Sequence, residues 1–173
     1  MALGIISSMT ITYIRAKKDE QKRRRDKVWD LYEKFNSEKF LYRRSVVWNI
    51  YHNWDKNKQS VISYFLDDRA GNTLADDTKL AQTFQDNLNH LSGILYFWVE
   101  IRLNIRSNHV DKKLLKEVFS YNYYWWSKFM NQFLELYVKT RAESKTKFED
   151  VEVALWEEAI PALNKFFEKD STN

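Results

Sequence analysis

The three histidines of this chain have the side chains best suited to metal or acid–base chemistry, yet their spacing does not predict a metal site. They are His52, His90 and His109. No second histidine lies four positions from any of them, and no glutamate lies three positions before any of them, so the common helical metal-binding pairs are missing. The sequence has no cysteine, which excludes thiol catalysis and thiolate ligands. We therefore expect neither a metal ion nor a cofactor.

One pair of residues has a spacing found in a class of enzymes. Arg102 and His109 are separated by six residues. This pair resembles the arginine and histidine of the all-helical ribonucleases of the HEPN type, found in bacterial defence and toxin systems. The residue after the arginine is often polar in that class and is Leu103 here. The alternative interpretation is structural: both cations interact with the negative carboxyl end of their helix.

Basic residues are concentrated near the N-terminus, in the segment 15–27. Its eight cations are Arg15, Lys17, Lys18, Lys22, Arg23, Arg24, Arg25 and Lys27. Three acidic residues lower the net charge of this segment to +5, whereas the whole chain carries +4, so the remainder is nearly neutral. Only Ala16 in the segment is apolar, which predicts a helix exposed on all sides. We expect these cations to contact an anionic membrane surface.

Residues 1–14, in front of this basic segment, are mostly apolar and include no charged side chain. Fourteen helical residues reach about 21 Å, which is short of the roughly 30 Å hydrocarbon core of a bilayer. Three interpretations stay open: the end of a membrane anchor, a helix lying in the lipid headgroups, or a first helix packed on protein. Because an apolar stretch followed by cations is typical of cytoplasmic flanks, we expect the cytoplasmic face of the inner membrane, with the cytoplasm as the alternative.

The rest of the sequence predicts helices. Apolar residues recur every three or four positions from Leu80 to Ile105, which predicts one long amphipathic helix starting near Asp76 or Asp77. Three glycines and one proline are too few for the corners of a β-sandwich and for a phosphate-binding glycine loop. The predicted fold is all-α: a single irregular bundle of five to seven helices over residues 28–170, with a protruding basic N-terminal helix.

Polar and helix-breaking residues predict where these helices end. The stretch 55–60 predicts the end of the second helix, and 67–77 predicts the clearest loop. Asp111 is suited to cap the N-terminus of a following helix, and Thr146 begins a capping box. Pro161 lies inside the last helical pattern, where we expect a kink or a restart after the preceding residue.

Aromatic residues are densest between 121 and 126, where five of six positions carry a ring. One helix cannot turn all five inward, so we expect some of Tyr121, Tyr124 and Trp125 to cover a partner surface, a neighbouring subunit or a membrane interface. The alternative is that another helix of the same domain buries them. Single-stranded nucleic acid is bound by rings interleaved with cations. Here the rings and the basic segment are separate, which makes nucleic acid the less favoured partner.

The order of these patterns resembles a known bacterial family. The carrying segments are the apolar-to-basic run at 13–27, then 31–37, 93–102 and 110–115, followed by a Trp-containing helix. Together they resemble the family named domain of unknown function 4760. The resemblance implies one N-terminal membrane helix followed by a cytoplasmic helical domain, and it implies no activity.

Three functions follow as hypotheses. The first is a non-enzymatic helical interaction module held at a membrane by residues 1–27. The second is an RNA-directed helical protein, either a binder or a ribonuclease of the HEPN type. The third is a subunit of a larger complex, or of a homo-oligomer, that uses the exposed rings as its contact.

Overall fold

The computed structural model describes the backbone of residues 2–66, 78–143 and 151–168, and the side chains of 12–63, 65–66, 86–143 and 154–168. Within these residues the chain forms six helices and no strand, which confirms the predicted all-α bundle. The helices are α1 (Ala2–Asn36), α2 (Glu38–His52), α3 (Trp54–Leu66), α4 (Thr78–Arg106), α5 (Lys112–Glu143) and α6 (Val151–Phe167).

Helix α4 packs against both α2 and α6. Its predicted apolar stripe is buried at every position whose side chain is described: Leu88, Leu91, Leu95, Trp98, Ile101 and Ile105. Helix α5 packs against α6, α3 and α1. The long amphipathic helix expected from the sequence is therefore confirmed. The residues at which we expected it to begin, 76 and 77, lie outside the described residues.

Two groups of aromatic rings fill the core and join helices that are distant in the sequence. In the first group, Phe35 of α1 lies 5.2 Å from Phe97 of α4 and 5.7 Å from Phe119 of α5, measured between ring centroids. In the second group, Trp156 of α6 lies 5.6 Å from Phe65 of α3. These separations are those of favourable ring pairs, so the aromatic residues that are buried hold the bundle together.

Among the described side chains of α1, which begin at Thr12, burial starts only in the second half of the helix. Every residue from Thr12 to Arg23 is exposed, and the first buried residue is Val28. From there Leu31 and Phe35 continue the buried face with the three-to-four spacing of a helix. Helix α1 therefore has an exposed part, residues 12–23, and a C-terminal part that belongs to the bundle.

Two expected helix ends differ in the structure. Residues 55–60 do not end a helix; they belong to the first turns of α3, and the break lies two residues before them, at Asn53. The polar residues occupy the outer part of α3, where Asp55 accepts from Lys58 at 3.0 Å and is favoured by the positive helix N-terminus. Helix α6 does not restart after Ile160 but continues through Pro161 to Phe167. The predicted loop 67–77 and the capping box at Thr146 lie outside the described residues.

Candidate interaction surfaces

The basic segment, residues 15–27, lies on the exposed part of α1. Two of its eight cations form ion pairs: Arg24 with Glu20 on the same helix, and Lys27 with Glu100 of α4 at 3.9 Å. The other six have no ion-pair partner among the described residues: Arg15, Lys17, Lys18, Lys22, Arg23 and Arg25. The segment therefore presents most of its positive charge to the solvent.

Four residues of this segment and its continuation form one stripe along the helix. Lys18, Lys22, Arg25 and Trp29 follow one another at intervals of four, three and four residues, and they line a common surface recess. Such intervals place side chains on the same helix face. Trp29 is 45% exposed, and its ring packs edge-to-face on Tyr32 at 5.9 Å. We call these four residues the basic stripe.

Arg24 lies on a different face of α1 from the basic stripe and contacts the loop between α4 and α5. The carbonyl oxygen of Arg24 accepts a hydrogen bond from the backbone N–H of Asp111, with 3.1 Å between the two atoms. The side-chain amide of Asn108 lies 3.1 and 3.0 Å from the two terminal nitrogens of Arg24, and with its oxygen turned towards them it accepts from both. Backbone and side chain of one arginine thus hold the same loop.

The loop that contacts Arg24 is held in one conformation by hydrogen bonds of its own. Asn108 has a φ of 57°, the left-handed conformation that ends many helices and that Asn tolerates better than most residues. The N–H of His109 donates to the carbonyl of Asn104 at 2.9 Å, which closes the last turn of α4. One carboxylate oxygen of Asp111 then accepts from the N–H groups of Lys113 and Leu114, both at 3.1 Å. The predicted N-cap at Asp111 is confirmed.

A groove of about 830 Å³ separates the basic segment from this loop. Lys17 and Arg23 line it from α1, and Lys112 and Lys113 line it from the start of α5. Glu20 and Asp111 also line it, but each already accepts hydrogen bonds from neighbours. The groove is therefore positively charged on both sides.

The structure places Arg102 and His109 against different helices. Arg102 points to α6, where one of its terminal nitrogens lies 3.9 Å from a carboxylate oxygen of Glu158. The same oxygen lies 3.3 Å from Arg106. His109 is exposed and lines a recess with Arg23 and other residues of α1. Arg102 therefore contacts α6, whereas His109 lies beside α1.

The rings singled out from the sequence are exposed on α5. Tyr121, Tyr124 and Trp125 are 72%, 58% and 45% exposed, respectively, whereas the two remaining rings of the cluster, Tyr123 and Trp126, are buried. Within the three, the ring of Trp125 lies edge-to-face on Tyr121 at 6.4 Å and on Tyr124 at 6.5 Å. We call these three residues and Trp48 of α2, whose ring lies 6.1 Å from Trp125, the aromatic surface.

A groove of about 450 Å³ between α2 and α5 borders the aromatic surface. Tyr51 and Phe129 line it, with their ring centroids 5.1 Å apart, and Leu41 and Trp48 line it from α2. Arg44 is the one charged residue in the described lining. Sequence reasoning missed the α2 side of this groove. Leu41, Arg44 and Trp48 recur at helical spacing beside the buried Phe40 and Val47, and this recurrence is the pattern that indicates it.

Tyr123 is the buried ring of the α5 cluster whose hydroxyl has specific partners. It donates to the side-chain oxygen of Asn164 at 2.7 Å and lies 3.2 Å from the carbonyl oxygen of Ile160, the residue before Pro161. Burial raises the pKa of Tyr123 well above its ordinary value. The hydroxyl therefore stays protonated and serves to bind α5 to α6.

His90 lies between α2 and α4 rather than in any groove described above. Its ring packs edge-to-face on Tyr42 at 5.3 Å. Burial lowers the pKa of His90, the cation of Arg43 lowers it further, and Asp86 acts in the opposite direction. The structure gives this histidine a packing environment that favours the neutral ring.

No cluster of three or more His, Asp or Glu side chains suited to a metal ion occurs among the described residues. Of the helices seen in residues 2–66, 78–143 and 151–168, none combines the length and the apolar character needed to cross a bilayer. No protein-family model matches the chain, and neither a curated protein nor a solved structure is significantly similar to it.

Proposed function

We propose that α1 attaches this protein to an anionic membrane surface, on the cytoplasmic face, and that the bundle is a non-enzymatic interaction module held there. The observation that carries the proposal is the basic stripe. Lys18, Lys22 and Arg25 share one exposed face of α1 and have no carboxylate partner among the described residues. Their charge is therefore available to lipid phosphates.

The expected strength of this attachment follows from the number of cations. A lysine or arginine near an anionic leaflet contributes about 1 kcal/mol, and this attraction falls off within a Debye length of roughly 8–10 Å. The stripe alone thus supplies an attraction on the order of 3 kcal/mol. Trp29, at its end, is a residue type enriched at membrane interfaces, where its amphipathic ring meets the headgroups. The uncharged residues 2–14 precede the stripe on the same continuous helix.

Vesicle sedimentation of the full chain tests the proposal. The test variant is Lys18→Gln/Lys22→Gln/Arg25→Gln. The matched control, Lys39→Gln/Lys56→Gln/Lys139→Gln, removes the same charge from exposed lysines of α2, α3 and α5. We expect the test variant to bind vesicles containing phosphatidylserine about 100-fold more weakly and the control to bind as wild type does.

Two outcomes contradict the proposal. Equal loss of binding in both variants would mean that membrane binding depends on the net charge of the protein and not on the basic stripe. Equal sedimentation of the wild type with anionic and with purely zwitterionic vesicles would remove the electrostatic argument altogether.

The RNA-directed hypothesis predicts a different dependence. It requires that RNA binding or cleavage be lost in Arg102→Ala and in His109→Ala. Our proposal expects both variants to retain vesicle binding, because Arg102 contacts α6 and His109 lies outside the basic stripe. Assaying the two variants for RNA degradation and for sedimentation therefore separates the hypotheses.

A further inference from the structure

We propose that the groove between α2 and α5 binds an amphipathic helical segment of a partner protein, which brings apolar side chains and one carboxylate. This inference is independent of membrane attachment, because the groove is formed by the bundle and the basic stripe by α1. The groove is flanked by Trp48 on α2 and by Trp125 on α5.

The first argument is the amount of apolar ring surface left uncovered at the groove. Trp48 is 40% exposed and Trp125 is 45% exposed, and Leu41, at the same groove, is also exposed. Tyr121 and Tyr124 extend this surface along α5. Exposed apolar patches rimmed by polar groups mark interaction sites, and tryptophan and tyrosine are enriched among the residues that dominate binding energy.

The second argument is the charge of Arg44. Its guanidinium is half-buried, lies 4.2 Å from the centroid of the Phe35 ring, and has no carboxylate partner among the described residues. Burial without a carboxylate lowers the pKa of Arg44 from its ordinary value. A carboxylate supplied by a ligand would pair with this cation in a partly dehydrated setting, where such pairs are strongest.

The described lining also argues against a nucleic acid as the occupant. A single strand needs a series of cations along its phosphates as well as rings for its bases. Arg44 is the one cation in the described lining of this groove, and Trp48 and Trp125 meet edge-to-face instead of offering parallel faces. An amphipathic helix, by contrast, needs a mainly apolar surface with few charges, and the groove offers Leu41, Tyr51 and Phe129 beside the single cation of Arg44.

A displayed library of helical peptides of about four turns, selected on the full chain, tests the proposal. We expect the enriched peptides to share apolar residues three or four apart and one aspartate or glutamate. A synthetic peptide of the enriched sequence is then titrated against Trp125→Ala, with Leu103→Ala as the matched control, an exposed apolar residue of α4 that does not line the groove. We expect at least about a tenfold weaker Kd for Trp125→Ala and no change for the control.

The pairing of Arg44 with the carboxylate of the peptide is tested by a separate measurement. Replacing the acidic residue of the peptide by glutamine should weaken binding to wild type about tenfold, and this preference should vanish in Arg44→Gln but persist in Arg43→Gln. Because the preference is a ratio within each variant, it remains measurable even if Arg44→Gln is less stable.

Four outcomes would overturn the proposal. The first is equal peptide binding by Trp125→Ala and wild type, and the second is equal affinity for the acidic peptide and its glutamine form. The third is a dimer of the wild type that Trp125→Ala dissociates, which would make a second copy the occupant. The fourth is binding of a single-stranded oligonucleotide that depends on Trp48 and Trp125.

Discussion

The backbone carbonyl of Arg24 accepts a hydrogen bond from the N–H of Asp111, 3.1 Å away, although the two residues are far apart in the sequence. The same arginine holds Asn108 through its side chain. This contact lies where the exposed part of α1 meets the bundle, between the exposed Arg23 and the buried Val28. The direction in which α1 leaves the bundle is therefore fixed by hydrogen bonds as well as by packing.

Two substitutions of Asn108 should separate the stability contributed by its left-handed backbone conformation from that contributed by its side-chain contact with Arg24. Asn108→Ala should lower the free energy of unfolding by about 2 kcal/mol, because alanine tolerates the left-handed conformation poorly and Arg24 loses an acceptor. Asn108→Gly should lower it by only about 1 kcal/mol, since glycine adopts that conformation freely. Urea unfolding of the two variants measures the difference. Identical losses would show that the backbone conformation contributes nothing.

Tyr123→Phe should destabilise the bundle by about 1 kcal/mol, because Asn164 would keep a half-buried oxygen without its donor from α5. Tyr121→Phe is the matched control: its ring is exposed, and we expect a change within about 0.5 kcal/mol. Thermal or urea unfolding monitored by circular dichroism measures both. A control variant that loses as much stability as Tyr123→Phe would contradict this role of the buried hydroxyl.

The lowered pKa of His90 predicts how this residue makes the free energy of unfolding depend on pH. The unfolded chain binds a proton at this histidine at higher pH than the folded chain does. The stability associated with the neutral ring is therefore complete above the ordinary histidine pKa of about 6.5 and is lost as the pH falls below it. Unfolding of His90→Gln should show a shallower loss between neutral and mildly acidic pH than wild type. A profile as steep as that of wild type would assign the loss to other groups.

Gly93 and Arg43 should behave as a coupled pair. A Cβ atom at position 93 would overlap the guanidinium of Arg43, which crosses from α2 onto α4 at this point. In an Arg43→Ala background, Gly93→Ala should raise the free energy of unfolding by about 1 kcal/mol, the difference in helix propensity. In the wild-type background the gain should be smaller, because the arginine must move. Equal gains in both backgrounds would mean that the guanidinium moves without cost.

The fold was largely predictable because its helices are long and their apolar stripes regular. The stripe of α4 and the cap at Asp111 identify their elements without knowledge of any neighbour. The break after α2 was misplaced because polarity at 55–60 reflects exposure on the outside of α3 and not the end of a helix. The end lies at Asn53, whose N–H and side-chain amide both bond to the carbonyl of Asn49, at 3.2 and 3.0 Å.

The interaction surfaces were predictable only in part. Density alone indicated that Tyr121, Tyr124 and Trp125 could not all be buried, and they are exposed. The α2 side of the groove was not found, since which face of α2 meets α5 depends on contacts between distant segments. For the same reason the charge pattern did not distinguish Lys27, which pairs with Glu100 of α4, from Lys22, which has no such partner among the described residues.

The unbroken course of α1 has a mechanical consequence. One continuous helix runs from Ala2 to Asn36 over about 50 Å, so the angle of its N-terminal part about the helix axis is set by the part that packs in the bundle. Inserting a single residue within 15–22 would rotate everything before the insertion by about 100° relative to the bundle, whereas inserting seven residues would nearly restore the angle while lengthening the helix by about 10 Å. The rotation angle and the length of this helix can thus be varied separately. Together they determine the orientation and the distance of the bundle relative to the structure that holds the N-terminal end of α1.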